Sequence, residues 1–332
     1  MQRPIYRMSS RPDRIRLALP LVVVCALAWC AGCKSNDKEI TTIVKVGEMD
    51  NAPEVVGNEQ MRTVRATERN IAQWVELNQQ GRTTQALALR VTISQSVDDN
   101  FETFEKVARE GGLLLGRNMA VKCIGFAREH RVEALALLVD LCRDKSPTIQ
   151  ANAVLGMGVL ADPDTDLTEP IRLLSAGDIE VRTNAAWALK DLFIVIPTPR
   201  ELTPQYFTAI ERLATLLNDP SSARARRSAC WALAKIHHPE TLDLLVGALE
   251  DDDREVQIGA LHGLEVLRDQ RGIDPILAYL DGGPTEGASS WAQKALVSIV
   301  LASGLAHTAS ELEYLEANPK LWRKWIRSAR NG

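Results

Sequence analysis

The first group of residues that could perform chemistry is the C-x-x-C formed by Cys30 and Cys33. Such a pair can act in redox chemistry, supply half of a zinc site or attach a haem. Lys34 follows Cys33 where haem attachment requires His, and the sequence has no second C-x-x-C to complete a zinc site. An apolar segment and a polar linker flank the pair, instead of the strands and helix of a thioredoxin-like fold. The pattern therefore favours none of these three chemistries.

The residues around Cys33 indicate export and lipid attachment instead. Residues 1–16 hold five Arg and one Asp. Residues 17–29 are apolar but shorter than the about 20 residues that span a bilayer. This arrangement, ending in A-G-C at Cys33, resembles a bacterial lipoprotein signal. The resemblance implies that a peptidase removes residues 1–32 and that the acylated Cys33 anchors the chain in a membrane.

Composition and the other cysteines narrow the class of protein. The formal net charge is −4, and it becomes −8 once residues 1–32 are removed. A mildly acidic chain lacks the basic surface of a nucleic-acid-binding protein. Cys123, Cys142 and Cys230 are too few for a disulfide scaffold, so each is expected to be a small buried hydrophobic residue. Pairing of Cys123 with Cys142 is the alternative, if their helices pack side by side in an oxidising envelope.

The most informative feature of the chain is a repeated alanine. Six segments share a polar start and an Ala that is followed four residues later by an apolar side chain. These marker alanines are Ala120, Ala153, Ala185, Ala229, Ala260 and Ala292. Their spacings are 33, 32, 44, 31 and 32 residues, and the long interval contains Ile196-Pro197-Thr198-Pro199. A period of this length is typical of helical solenoids.

Each repeat is predicted to be a helical hairpin. Second apolar helices are expected between the marker segments, at residues 132–142, 168–176, 206–217, 241–250 and 274–281. The small marker residue lets two helices approach closely, and a Leu four residues later fills the layer behind. These leucines are Leu189, Leu233, Leu264 and Leu296. One hairpin cannot bury its own apolar side, so we predict an all-α solenoid of six or seven stacked repeats, with the second helices lining its curved face.

The repeats resemble the HEAT family, and within it the short HEAT-like repeats of phycobilisome lyases. The best copy has Val181-Arg182, Ala185 and Leu189, and the next has Arg226, Ala229 and Leu233. In other copies Gln150, Gln257 and Ser289 replace the Arg. The resemblance covers roughly residues 80–300, and it implies that the repeat Arg contacts an acidic residue in a neighbouring repeat. It says little about activity, because a fold does not fix a function.

Two acidic segments and a His pair are the remaining candidates for metal chemistry. Residues 162–166 carry three Asp at the spacing that opens a calcium loop, but Leu167 and Leu173 occupy the positions that require Gly and Glu. Capping of the following helix is the favoured interpretation. Residues 250–253 are likewise expected to interact with the positive end of a helix. His237-His238 have no further ligands nearby in the sequence, so no metal site is expected.

Arginines and tryptophans in the repeats are candidates for binding a partner. Arg224 and Arg227 flank the repeat Arg226 at a helix start, where the helix dipole disfavours cations. A solvated face is the favoured interpretation, and an anionic partner site is the alternative. Trp187 and Trp231 share one repeat position and are expected to lie in the core between repeats, with exposed binding residues as the alternative.

The chain divides into five segments. These are a cleaved signal at 1–32, a flexible polar tether at 33–58, N-terminal helices with a divergent first repeat at 59–110, HEAT-like repeats at 111–308 and capping helices at 309–332. The tether contains a β-branched run at 40–46 that could form an edge strand, and a helix is expected at 59–79. A basic amphipathic helix near residues 321–327 is expected to cap the last repeat, with lipid contact as the alternative.

These features predict a non-catalytic scaffold or adaptor that is lipid-anchored at Cys33 and faces the periplasm or exterior. Its partners would be unidentified envelope proteins and the membrane, without nucleic acid, metal, cofactor or catalytic residues. An enzyme like the bilin lyases that share these repeats is the main alternative, although those enzymes act on cytosolic proteins. A purely structural envelope lipoprotein is the other alternative.

Overall fold

The computed structural model describes residues 58–284, 287–305, 315 and 321–331. The predicted signal, the anchor at Cys33, the tether and its run at 40–46 lie outside the described residues. Every regular element in the described ranges is a helix, which confirms the predicted all-α class. In these ranges, no helix combines the length and the hydropathy needed to cross a membrane.

Three helices precede the first marker alanine. They are α1 (Asn58–Gln79), α2 (Thr83–Asp98) and α3 (Phe101–Glu110), and α1 matches the helix predicted at 59–79. Met61, Val64 and Trp74 of α1 are buried, because they share one side of the helix. The ring of Trp74 packs edge-on against Phe126, with ring centroids 5.3 Å apart. Helix α1 therefore packs on the first repeat and forms the start of the stack.

Marker helices and second helices alternate along the rest of the chain. The marker helices are α4 (Leu114–Ile124), α6 (Pro147–Leu160), α8 (Ile179–Val195), α10 (Ala223–Ile236), α12 (Arg254–Leu267) and α14 (Ala288–Ser303). The second helices are α5 (Arg131–Leu141), α7 (Thr168–Leu173), α9 (Pro204–Leu217), α11 (Leu242–Gly247) and α13 (Ile273–Asp281). Helix α15 (Trp322–Asn331) follows near the end of the chain. The chain is thus a solenoid of helical hairpins.

Small residues bring adjacent marker helices nearly into backbone contact. All six marker alanines are fully buried. A Cβ added to Gly158 of α6 would lie 2.7 Å from the Cα of Ala188 in α8. A Cβ added to Gly125, just after α4, would lie 2.7 Å from the carbonyl oxygen of Gly156 in α6. Only residues without a bulky side chain permit this packing, which explains the alanine repeat.

The second helices form a more open layer than the marker helices. Adjacent marker helices contact one another extensively, whereas adjacent second helices contact one another sparsely. In a curved stack, the layer with the closer spacing lies on the inside of the bend. The marker helices therefore line the concave surface, and the prediction that the second helices line it is wrong. The reason is side-chain size, because Ala and Gly allow a shorter spacing than the Leu-rich second helices.

An arginine of one repeat is bonded to the next repeat in three places. The pairs are Arg117 with Asp144, Arg182 with Asp219 at 2.9 Å, and Arg226 with Asp251 at 2.7 and 3.0 Å. Each Asp lies in the loop before the next marker helix and also accepts a backbone N–H two residues later. Gln150 and Gln257 instead donate, at 2.7 Å, to a carbonyl oxygen in the loop before their own helix. The Arg copies thus bond to the loop before the next marker helix, whereas the Gln copies donate to the loop before their own helix.

Helix α15 covers apolar surface near the end of the stack. Trp322 and Ile326 are 0% and 1% exposed, so the apolar side of this basic helix packs on the protein. Arg323 forms an ion pair with Asp281 at the end of α13. This burial is what a capping helix requires.

Candidate functional site

A row of amide side chains crosses the solvent-facing side of the marker helices, which we call the inner surface. Asn152 Nδ2 donates to Asn118 Oδ1 at 2.5 Å, and Asn184 Nδ2 donates to the carbonyl oxygen of Ala151 at 3.1 Å. Asn118 and Asn152 are half-buried. Within the described residues, Asn118 Nδ2 and Asn152 Oδ1 have no hydrogen-bond partner. A free donor and a free acceptor on adjacent repeats can bind the carbonyl and the N–H of an extended main chain.

Aromatic rings with adjacent cations continue the inner surface. The half-buried tryptophans are Trp187 of α8, Trp231 of α10 and Trp291 of α14. Lys190 Nζ lies 3.5 Å from the centroid of the Trp187 ring. His262 of α12 contacts the rings of Trp231 and Trp291, with centroids 5.1 and 6.2 Å away. Half-buried Trp rings offer a large contact area at a low cost in conformational entropy, as binding surfaces require.

Positive charges outnumber negative charges around Asp191 of α8. We call Arg90, Lys190 and Lys235 the cationic seam. Lys190 is 3% exposed and lies 3.0 Å from Asp191, and Lys235 Nζ lies 2.9 Å from His262 Nε2. Burial raises the pKa of Asp191, while burial and the charge of Lys190 lower the pKa of Lys235. All three cations act on Asp191, and Glu265 also acts on Lys235, so the seam holds three cations against two carboxylates and a carboxylate from a partner would stabilise it.

Arg224 and Arg227, the predicted candidates for an anionic partner, lie at the amino end of α10. Arg224 Nη1 is 2.7 Å from Glu180 Oε2 of α8, and Arg227 Nη2 is 3.1 Å from Asp253 Oδ2 at the start of α12. Each arginine therefore contacts a carboxylate of an adjacent repeat. Because these charges are matched within the protein, the cationic seam is the stronger candidate for binding an anion.

The two tryptophans predicted for the core between repeats are only half-buried. Trp231 lies against α12, since a Cβ added to Gly259 would be 3.2 Å from Trp231 Nε1. Trp187 contacts Lys190 of its own helix. Both rings keep part of their area on the inner surface, where a partner can reach them.

The acidic segments cap helices. Asp166 Oδ1 accepts the N–H of Thr168 at 2.9 Å at the start of α7, and hydrogen bonds from Thr168 lower the pKa of Asp166. Asp162 forms an ion pair with Arg131 at 2.6 Å. Asp253 accepts backbone N–H groups of the first turn of α12. The bonds of Asp166 and Asp253 agree with the capping interpretation, although Leu167, directly before α7, makes no side-chain cap.

The surroundings of the three described cysteines and of the His pair indicate structural roles. Cys123, Cys142 and Cys230 are free and buried, so the alternative of a Cys123–Cys142 disulfide is not realised. Burial raises the pKa of all three thiols, for Cys142 to about 12. His237 ends α10 in the left-handed conformation, at φ 51°. No three His, Cys, Asp or Glu side chains in the described ranges are placed to hold a metal ion.

The inner surface contains residues that sequence reasoning missed. Asn118, Asn152 and Asn184 recur at 34 and 32 residues, which is the repeat period. Comparing polar positions across the repeats, as well as the alanines, would have revealed them. Arg90 had no such signal, because it comes from α2, outside the repeats, and joins the seam only through the fold.

Comparison with known families supports the repeat assignment. A model described as HEAT repeats matches residues 208–297, and one described as a HEAT-like repeat matches residues 179–236. Residues 179–297 thus carry HEAT-type repeats. A "HEAT repeat-containing taxis protein" of Halobacterium salinarum is 30% identical over 86 residues, or 25% of this chain. The match spans only 20% of that relative's length.

Solved structures with stacked helices are also similar to the chain. An engineered protein is 17% identical, with a TM-score of 0.49 and coverage of 81% of this chain and 79% of that one. The Escherichia coli protein YibA is 16% identical, with a TM-score of 0.47 and coverage of 86% and 100%. A designed armadillo repeat protein for modular peptide recognition is 21% identical, with a TM-score of 0.44 and coverage of 59% and 98%. At these scores the similarities carry no information on binding.

Proposed function

We propose that the protein is a non-catalytic scaffold that binds an extended, acidic segment of another protein along its inner surface. We further propose that acylated Cys33 tethers it to a membrane, with the folded part facing the periplasm or exterior. The observation that carries the first proposal is the joint presence of free amide groups, half-buried tryptophans and an excess of cations on one concave surface.

Each part of the inner surface suits one part of such a partner. The amide row offers a donor and an acceptor to the main chain, and the tryptophans offer apolar contact. The cationic seam offers charge-assisted hydrogen bonds to a carboxylate, which are about twice as strong as neutral ones. An extended acidic polypeptide satisfies all three at once.

A membrane tether would allow the protein to bind a partner on the same membrane with only a modest affinity. A single acyl chain gives marginal membrane attachment, whereas the several chains of a bacterial lipoprotein anchor it stably. A partner on the same membrane is then held at a high effective concentration. The resemblance of residues 1–33 to a lipoprotein signal is the sequence feature that supports this proposal.

Affinity capture from detergent-solubilised envelopes tests the scaffold proposal. The tagged protein is compared with an inner-surface variant, Asn152→Ala with Lys235→Gln, and an outer-surface control, Val132→Ser with Phe207→Ser. The control residues lie on second helices and are 74% and 46% exposed. We expect one stoichiometric partner that the control retains and the inner-surface variant loses.

Two outcomes would contradict the proposal. Recovery of no stoichiometric partner by the unmodified protein would favour a purely structural role. Equal capture by all three proteins would place the binding site away from the inner surface. Circular dichroism of both variants excludes loss of the fold as the cause.

A further inference from the structure

The start of α4 exposes three consecutive leucines. Leu113, Leu114 and Leu115 are 40%, 50% and 53% exposed, and we call them the leucine edge. Gly111-Gly112 precede them, and the buried Gly116 follows. Single exposed leucines are ordinary on protein surfaces, but a contiguous apolar patch marks a contact surface. Neither the repeat packing nor the inner surface uses the leucine edge.

A row of arginines lies beside the leucine edge. Arg62, Arg65 and Arg69 are exposed on α1, and their spacing of three and four residues places them on one side of that helix. Arg65 lines a small cavity together with Leu113 and Leu115. In the described part of the chain, none of the three arginines is paired with a carboxylate. An apolar edge is thus flanked by uncompensated positive charge.

We propose that the leucine edge and the arginine row contact an anionic membrane surface, an inference that rests on the proposed tether at Cys33. Leucine side chains are stable at the boundary between headgroups and acyl chains, and arginines interact with lipid phosphates. The two groups are adjacent, so one orientation of the protein satisfies both.

The position of this patch fits the proposed anchor. Helix α1 begins at Asn58, and residues 34–57 connect it to Cys33. Fully extended, this connection reaches at most about 90 Å, and α1 is the described element that would lie nearest to the anchor along the chain. A twofold dimer through the same patch is disfavoured, because it would bring two arginine rows into one interface.

Vesicle co-sedimentation tests the proposal without the lipid anchor. The chain from residue 33 with Cys33→Ala carries no acyl group and retains every described residue. It is mixed with vesicles of phosphatidylcholine alone, or of phosphatidylcholine with phosphatidylglycerol. We expect binding to the anionic vesicles that weakens as salt rises. Replacing all three leucines by Ser should abolish binding, and replacing all three arginines by Gln should weaken it roughly a hundredfold.

A variant that lacks exposed apolar groups elsewhere on the protein serves as the control. Val132→Ser with Phe207→Ser removes exposed apolar groups from second helices and should leave vesicle binding unchanged. Equal binding to neutral and anionic vesicles, or full binding by the leucine variant, would overturn the proposal. So would self-association in gel filtration that the leucine variant alone loses, since a second copy would then occupy the patch. Partner capture by the leucine variant should be normal, so failure here and failure of the scaffold proposal are distinguishable.

Discussion

Replacing Arg226 by Gln tests whether the repeat arginine holds adjacent repeats together. The guanidinium forms two hydrogen bonds with Asp251, and the two side chains are 15% and 11% exposed. Gln is the residue that two other repeats carry at this position, where it bonds to its own preceding loop. Arg226 Nη1 also donates to the carbonyl oxygen of Asp219, in its own preceding loop, at 3.3 Å. The variant should therefore keep this local bond and lose only the bonds to Asp251. Asp251 would remain partly buried with one backbone N–H as its partner.

The expected cost is a loss of about 2–3 kcal/mol in the free energy of unfolding, between the values for exposed and fully buried ion pairs. Arg224→Gln is the matched control on the same helix. Its pair with Glu180 is more than half exposed on both sides, so a loss below about 0.5 kcal/mol is expected.

The effect should depend on pH in a defined direction. Burial acts to raise the pKa of Asp251, but hydrogen bonds from Arg226 and from the backbone N–H of Asp253 lower it below its ordinary value. A carboxylate with a lowered pKa contributes stability above the pKa of the unfolded chain, about 3.9, and loses it as pH falls through the folded value. The difference between Arg226→Gln and the unmodified protein should therefore be complete at pH 7 and shrink below about pH 4.

Urea unfolding followed by circular dichroism measures the free energies, and hydrogen exchange shows where the stack opens. Repeat arrays can unfold in parts, so faster exchange in α10 and α12 than in α4 is expected for Arg226→Gln. An equal loss for Arg224→Gln and Arg226→Gln, or a difference independent of pH, would refute the reasoning.

Three further predictions follow from the packing, the cysteines and the signal. In urea unfolding, Gly158→Ala should lower the free energy of unfolding by about 1–3 kcal/mol, because the new Cβ would lie 2.7 Å from the Cα of Ala188. Gly247→Ala has open space around the new Cβ and should raise the free energy of unfolding by up to about 1 kcal/mol. Equal effects of the two would contradict the close approach of α6 and α8. The three described cysteines should fail to react with a thiol reagent at pH 8 until denaturant is added, because they are buried with raised pKa values; rapid native-state labelling would disprove this. Cys33→Ala should abolish metabolic labelling with an alkyne fatty acid and leave residues 1–32 attached; retained labelling would identify another cysteine as the anchor.

The alanine repeat alone predicted the architecture, because each alanine results from a close contact between two neighbouring helices. A fully buried Ala once per period records the closest approach of two helices, and the same contact recurs along the stack. The helix positions followed from the apolar pattern, and the caps followed from Asp residues such as Asp253. These features depend on residues close together in sequence.

The location of the binding surface could not be predicted in the same way. The helix layer inside the bend is the one whose helices are more closely spaced. The alanine pattern indicates this layer only when the marker helices are compared with the second helices. Arg224 looked free in the sequence but pairs with Glu180, 44 residues away. The cationic seam requires Arg90 from outside the repeats. Each of these features arises from contacts between distant segments.

Site-specific photo-crosslinking in living cells tests most directly whether the concave surface of the marker helices is the working part of the protein. A photoreactive phenylalanine derivative is placed at Trp187 on the inner surface or at Val132 on the outer surface. We predict a crosslinked partner from Trp187, through a segment rich in Asp or Glu, and none from Val132. A partner captured from Val132 and not from Trp187 would contradict the account.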